Sequence, residues 1–186
     1  MTSNRLIILD RDGVINRDSE DYVKNVAEWQ PLPGAINAIG RLCQAGYQVA
    51  VATNQAGIGR GIIQPADLQA MHAHMQEMIK AAGGQLAALE YCPHHPNDGC
   101  DCRKPAAGML LKIAAQLGLN DLSSAWMVGD SLRDLQAGEA AGTRVALLLT
   151  GNGTTTRNRL DQLQAPHKVA VFDSLAAFAD HLLTVS

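Results

Sequence analysis

The chain has 186 residues, 47% of them hydrophobic and 18% charged, an ordinary globular balance for a chain long enough to bury a substantial core. A formal net charge of −3 without clustered Lys and Arg gives no support to a broad basic face for nucleic acid. No segment approaches the roughly 20 apolar residues of a membrane span, and the run Leu6 to Leu9 is too short for a signal peptide, so the expected chain is a cytoplasmic monomer with reduced thiols.

Short apolar runs alternate with amphipathic segments along the chain. "RLIILD" (5–10) reads as a buried strand. "PGAINAIGRLCQAG" (33–46) places Ile36, Ile39, Leu42 and Cys43 at helical spacing, with Gly46 as a stop and Cys43 as a core residue. "YQVAVAT" (47–53) is a second strand. Residues 64–84 form a helix that starts near Pro65 and ends on a Gly pair. His72 and His74 on it do not share a face and read as ordinary helix residues. Residues 85–92 predict a strand, 106–119 a helix, 124–130 a strand, 132–142 a helix, and 143–150 and 167–173 two strands. A last helix, 174–183, begins at an N-cap Ser174. The stretch 150–168 reads as a mobile surface loop with a short helix. This rhythm predicts an α/β fold over 1–186, a single domain with a doubly wound, mostly parallel sheet.

In such sheets ligands gather at the carboxyl ends of the strands, and those ends carry complementary chemistry. Asp10 stands at the tip of the first strand, with Asp12 two residues on. A carboxylate there can attack phosphorus, and its neighbour can protonate a leaving oxygen. Gly13 lets the backbone turn. Two carboxylates facing a phosphate need a cation, and an oxygen-only site suits Mg²⁺. Asp130 is the further ligand, with Asp134 behind it. Lys104 supplies fixed positive charge, and Thr53 and Asn54 supply donors to phosphoryl oxygens. Each element alone has a bland explanation as a loop or a helix cap. Their joint order at successive strand ends does not.

The ordered set Asp10-Arg11-Asp12-Gly13, Thr53-Asn54, Lys104 and Gly129-Asp130 resembles the haloacid dehalogenase (HAD) superfamily of phosphatases over roughly the first 150 residues. The resemblance implies a Rossmann-like sheet, an aspartyl-phosphate intermediate and catalytic Mg²⁺ on Asp10, Asp12 and Asp130. It also implies catalytic roles for Asp10, Asp12, Thr53 and Lys104. Val14 departs from the Thr usual in the family. The intervals Asp12–Thr53 and Thr53–Lys104 leave no room for a cap domain.

Cys92, His94, Cys100 and Cys102 lie within eleven positions as C-x-H followed by C-x-C. Four such ligands suit structural Zn²⁺. Redox pairs are more usually C-x-x-C, and a disulfide conflicts with a reducing compartment. The predicted zinc-binding loop, 92–102, runs directly into Arg103-Lys104 and would fix both at the mouth. His95 would point elsewhere or support a ligand from behind.

Within the superfamily, this loop followed by C-R-K-P is similar to the heptose bisphosphate phosphatases and the histidinol-phosphate phosphatases. "TNQAGIGRG" (53–61) resembles the former. Arg60 and Arg103 would grip a second phosphate, which a sugar bisphosphate has and histidinol phosphate lacks. Asp18, Asn54 and Gln55 complete the expected substrate contacts. A DNA 3′-phosphatase and a catalytically silent zinc-stabilised binding module are the weaker alternatives.

Overall fold

A computed structural model describes residues 5–184. Six strands, β1 (Leu6–Leu9), β2 (Gln48–Asn54), β3 (Leu86–Cys92), β4 (Trp126–Gly129), β5 (Arg144–Leu148) and β6 (Ala170–Phe172), form one sheet. Its order is β3-β2-β1-β4-β5-β6, and every neighbouring pair is parallel. The helices are α1 (Ala35–Gln44), α2 (Ala56–Gly59), α3 (Pro65–Ala81), α4 (Gly108–Gln116), α5 (Leu132–Ala141), α6 (Gly153–Arg157) and α7 (Leu175–Thr184).

The continuous apolar strands follow from burial on both faces. In β1, Ile7 and Leu9 pack into a core shared with α1, α3 and α7, while Leu6 and Ile8 pack into a second core with Met109, Leu110 and Ile113 of α4. All four β1 side chains are fully buried. α1 ends as the sequence predicts: Gly46 adopts φ +86°, and Gly46 and Tyr47 donate back to the Cys43 and Leu42 carbonyls. Ser174 caps α7 by accepting from the Ala177 amide at 3.2 Å.

The loop after β2 contains α2, which the sequence did not predict. The irregular stretch after β5 contains the expected short helix, α6, followed by two 3₁₀ turns. Thr156 of α6 is buried and donates to the Asp130 carbonyl at 2.7 Å, so this segment packs against the end of β4. Among the described residues no separate unit folds over the sheet's carboxyl edge.

β1 lies between β2 and β4, so the chain winds away from it in both directions. That switch point opens a crevice at the strands' carboxyl ends. Asp10 and Asp130 line its floor, and Thr53, near the end of β2, is buried.

Candidate active site

The floor is an interlocked set of charges. The Asp10 carboxylate accepts from the Arg11 amide at 2.7 Å and pairs with Lys104 Nζ at 2.9 Å. Lys104 is 1% exposed and spends its three protons on Asp10, on Asp134 at 2.7 Å and on the Ala52 carbonyl at 2.7 Å. Asn54 clips the lysine's backbone in place, donating to the Lys104 carbonyl and accepting from the Lys104 amide, both at 3.0 Å. A buried cation held this firmly is a fixed point of positive charge.

Asp10, Asp130 and Asp134 offer ligand oxygens within 4.8 Å of one another. Burial, then the negative charge of Asp134, raises Asp10 well above the usual carboxylate range, with Lys104 opposing. Burial and Asp134 push Asp130 up to about 7. Carboxylates that resist ionisation in an oxygen-only cluster fit a hard divalent cation such as Mg²⁺. Asp134 has both oxygens engaged, one by Lys104 and one by the Ser131 amide and hydroxyl. Asp10 and Asp130 are therefore better placed to hold the ion. Gly13, at φ +82°, backs onto Asp130: a Cβ there would lie 2.2 Å from its Oδ2.

The Asp12 carboxylate does not join that cluster. It is gripped by the Arg11 guanidinium, whose Nη2 donates at 2.8 and 3.0 Å and Nε at 3.2 Å. Asn16 donates to it at 2.9 Å and Gln55 at 2.8 Å. Burial raises the Asp12 pKa, but Arg11 and these donors outweigh it and hold the group below its ordinary value. Gln55 also donates to buried Thr53 at 2.9 Å. The amides of Asn54 and Gln55, expected to meet substrate, are thus turned to Lys104 and Asp12.

These groups floor a cavity of about 300 Å³, with Asp18, Arg60 and Arg103 on its walls. Arg103 Nη1 is buried without a hydrogen-bond partner, an orphan donor that an anionic ligand would satisfy. Asp18 is raised by burial, then by Asp12. Sequence reasoning missed three residues. Arg133 adds a guanidinium to the cavity wall. Asn152 donates to Asp130 from its amide at 2.7 Å and reaches Asp18 at 3.3 Å. His72, expected to be an ordinary helix residue, is buried with Nε2 3.3 Å from Arg11 Nη1. Nothing local marked Asn152 or His72, whose partners lie 22 to 134 residues away.

Beside the cavity, the side chains of Cys92, His94, Cys100 and Cys102 converge within 4.8 Å. Sulfur pairs lie at 3.6 Å (Cys92–Cys100) and 3.5 Å (Cys100–Cys102), and His94 Nδ1 lies 3.5 and 3.2 Å from Cys92 and Cys102. Sulfurs about 2.3 Å from a tetrahedral Zn²⁺ stand about 3.8 Å apart, close to these edges. Burial, then contact with Cys92 and Cys100, pushes the Cys102 thiol up to about 12, so the sulfurs compete for protons and suit a cation. His95 Nδ1 instead accepts from the Asn97 amide at 3.2 Å. Cys43 donates to the Gln85 carbonyl at 3.5 Å and packs against the core.

Residues 101–178 match the HAD-hydrolase-like family model. The chain is 51% identical over 181 residues to the D-glycero-beta-D-manno-heptose-1,7-bisphosphate 7-phosphatase of Pseudomonas aeruginosa, covering 97% of this chain and 99% of that one. The enzyme of the same description from Neisseria meningitidis is 47% identical over 179 residues, covering 96% and 95%. The crystal structure of D,D-heptose 1,7-bisphosphate phosphatase from B. bronchiseptica, complexed with magnesium and phosphate, superposes with a TM-score of 0.91 at 46% identity, covering 98% and 99%.

Proposed function

The chain belongs to the D-glycero-D-manno-heptose-1,7-bisphosphate 7-phosphatases of the HAD superfamily, and from that premise we propose that it removes the 7-phosphate from the β-anomer of D-glycero-D-manno-heptose 1,7-bisphosphate. Such an enzyme supplies a heptose 1-phosphate for nucleotide activation on the route to the lipopolysaccharide inner core. The observation that carries the substrate is the likeness to heptose bisphosphate phosphatases over 97% of the chain.

In this reading one Asp10 oxygen attacks phosphorus. As that O–P bond forms, the bond from phosphorus to the C7 oxygen breaks, and the departing oxygen takes a proton from Asp12. Asp12 is then a carboxylate. It removes a proton from a water whose oxygen bonds to phosphorus, and the Asp10–phosphorus bond breaks to free inorganic phosphate. Arg11 holds Asp12 below its ordinary pKa in the free protein; a phosphoryl dianion beside it opposes that pull and favours the proton needed in the first step.

Lys104 and Thr53 meet the phosphoryl oxygens, with Lys104 oriented by Asn54 and Asp12 by Gln55. Mg²⁺ held by Asp10 and Asp130 would neutralise converging negative charge and polarise phosphorus. Arg60 and Arg103 take the phosphate that is not hydrolysed, and Asp18 a sugar hydroxyl. Zn²⁺ on Cys92, His94, Cys100 and Cys102 is structural, because four protein ligands close its coordination.

The test is phosphate release, with Mg²⁺, from both anomers of heptose 1,7-bisphosphate, heptose 7-phosphate and histidinol phosphate. The β-bisphosphate should give the highest kcat/KM. A preference for histidinol phosphate would overturn the reading.

A further inference from the structure

Arg11 is 1% exposed, so each of its N–H groups needs a partner. Its Nε and Nη2 are used on Asp12. Its Nη1 points the other way, at His72 Nε2, 3.3 Å distant and 61 residues along the chain. A guanidinium has only donors. His72 Nε2 must therefore accept, which makes the ring neutral with its proton on Nδ1. Burial, then the Arg11 charge, pushes the His72 pKa down to about 4, with Asp12 opposing, which agrees with a neutral ring. The Tyr91 ring of β3 meets the imidazole edge-on, with centroids 5.7 Å apart.

We propose that His72 is a positioning residue of the reaction: through Arg11 it sets the orientation of Asp12, the proposed general acid and base. The inference rests on that proposed role. A neutral acceptor suits the task better than a carboxylate would. It satisfies Nη1 without a competing negative charge, so the guanidinium's charge remains directed at Asp12. With the acceptor gone, Nη1 is left buried and unpaired, and the planar group can rotate off Asp12 to find another partner.

Two variants separate this from simple packing. His72→Gln keeps an acceptor near the position of Nε2; His72→Leu fills similar space without one. A misplaced acid penalises poor leaving groups most. His72→Leu should lower kcat on heptose 1,7-bisphosphate by about 10- to 100-fold, with KM within about twofold. The loss on 4-nitrophenyl phosphate, which needs little protonation to leave, should be clearly smaller. His72→Gln should stay within about threefold of the natural protein on both substrates. Equal losses on both substrates, or no rescue by Gln, would overturn the proposal.

If the wild type turned over no heptose bisphosphate, the substrate reading would fall by itself. The same comparison then runs on glycerol 2-phosphate, whose leaving group is also an alkoxide. Should His72→Leu not fold, ¹⁵N NMR of the intact protein decides: Nε2 must be the unprotonated nitrogen at pH 7. A proton on Nε2 contradicts the arrangement.

Discussion

At the scale of single residues, the two aspartates of the D-R-D-G turn sit in opposite environments. Asp10 faces Lys104 and the carboxylate cluster, whereas Asp12 faces Arg11, Asn16 and Gln55. Their substitutions should therefore differ in kind. Asp10→Asn removes the attacking oxygen's charge, and no substrate should turn over in a folded protein. Asp12→Asn should cost about 10²–10⁴-fold on sugar phosphates but less on 4-nitrophenyl phosphate. Steady-state assays on both esters check this, and equal losses on the two would return Asp12 to a scaffold role. Asp130 makes a pH prediction. Its pKa is pushed up to about 7 in the folded protein, above the unfolded value near 4. Between those values the unfolded state sheds the proton first, so without metal this group makes the fold less stable as pH rises from about 4 to 7. Mg²⁺ competes with that proton. The rise in Tm on adding Mg²⁺ should be larger at pH 8 than at pH 5 by thermal denaturation; an equal or reversed shift would remove Asp130 from the metal site.

At the scale of elements, the strand ends were readable because each announces itself locally. A buried apolar run stops at a polar residue, so Asp10, Thr53 and Asp130 could be located without knowing the sheet order. The Cys/His cluster was readable for the same reason: C-x-H and C-x-C pairs lie close in sequence, and their side chains converge. His72 was not readable, since its partner is on another element and helical spacing alone showed no face it shared with His74. Asn152 was hidden similarly, because its partners Asp130 and Asp18 lie 22 and 134 residues away. The Cys/His loop and α2 are locked together. A Cβ on Gly59 would lie 2.6 Å from the His95 amide and 2.8 Å from the Pro93 carbonyl, so only Gly allows this approach. Displacing the loop should therefore disturb Arg60 as well as Arg103 and Lys104. Cys100→Ser should lower zinc content below one equivalent per chain, as read by elemental analysis, and activity should fall with it. Fully reduced, active protein containing no zinc would refute a structural ion there.

At the scale of the whole molecule, the sheet's strand ends supply the cavity floor and the segments between strands supply its walls. The α/β rhythm was legible because strands buried on both faces read as continuous apolar runs, and all six pair in parallel as that pattern requires. What the wall groups do was less legible, because Arg60, Arg103 and Arg133 come from three separate segments and meet only at the cavity. Their shared charge makes a prediction about the distal phosphate. Losing one charge-assisted contact costs about 1.5–3 kcal/mol, or roughly one to two decades in kcat/KM. Arg103→Ala should impose that loss on heptose 1,7-bisphosphate and spare heptose 7-phosphate, with Arg60→Ala showing the same bias more weakly; kcat/KM on the two substrates reads it. In the proposed reaction the carboxylate floor cleaves one phosphate while the arginine wall retains the other. The most direct measurement is ³¹P NMR of heptose β-1,7-bisphosphate turned over by the intact protein with Mg²⁺. The C7 phosphomonoester signal should disappear, with an equimolar rise of inorganic phosphate and persistence of the C1 phosphate. Release of the C1 phosphate first, or of both phosphates together, would contradict the proposed reaction.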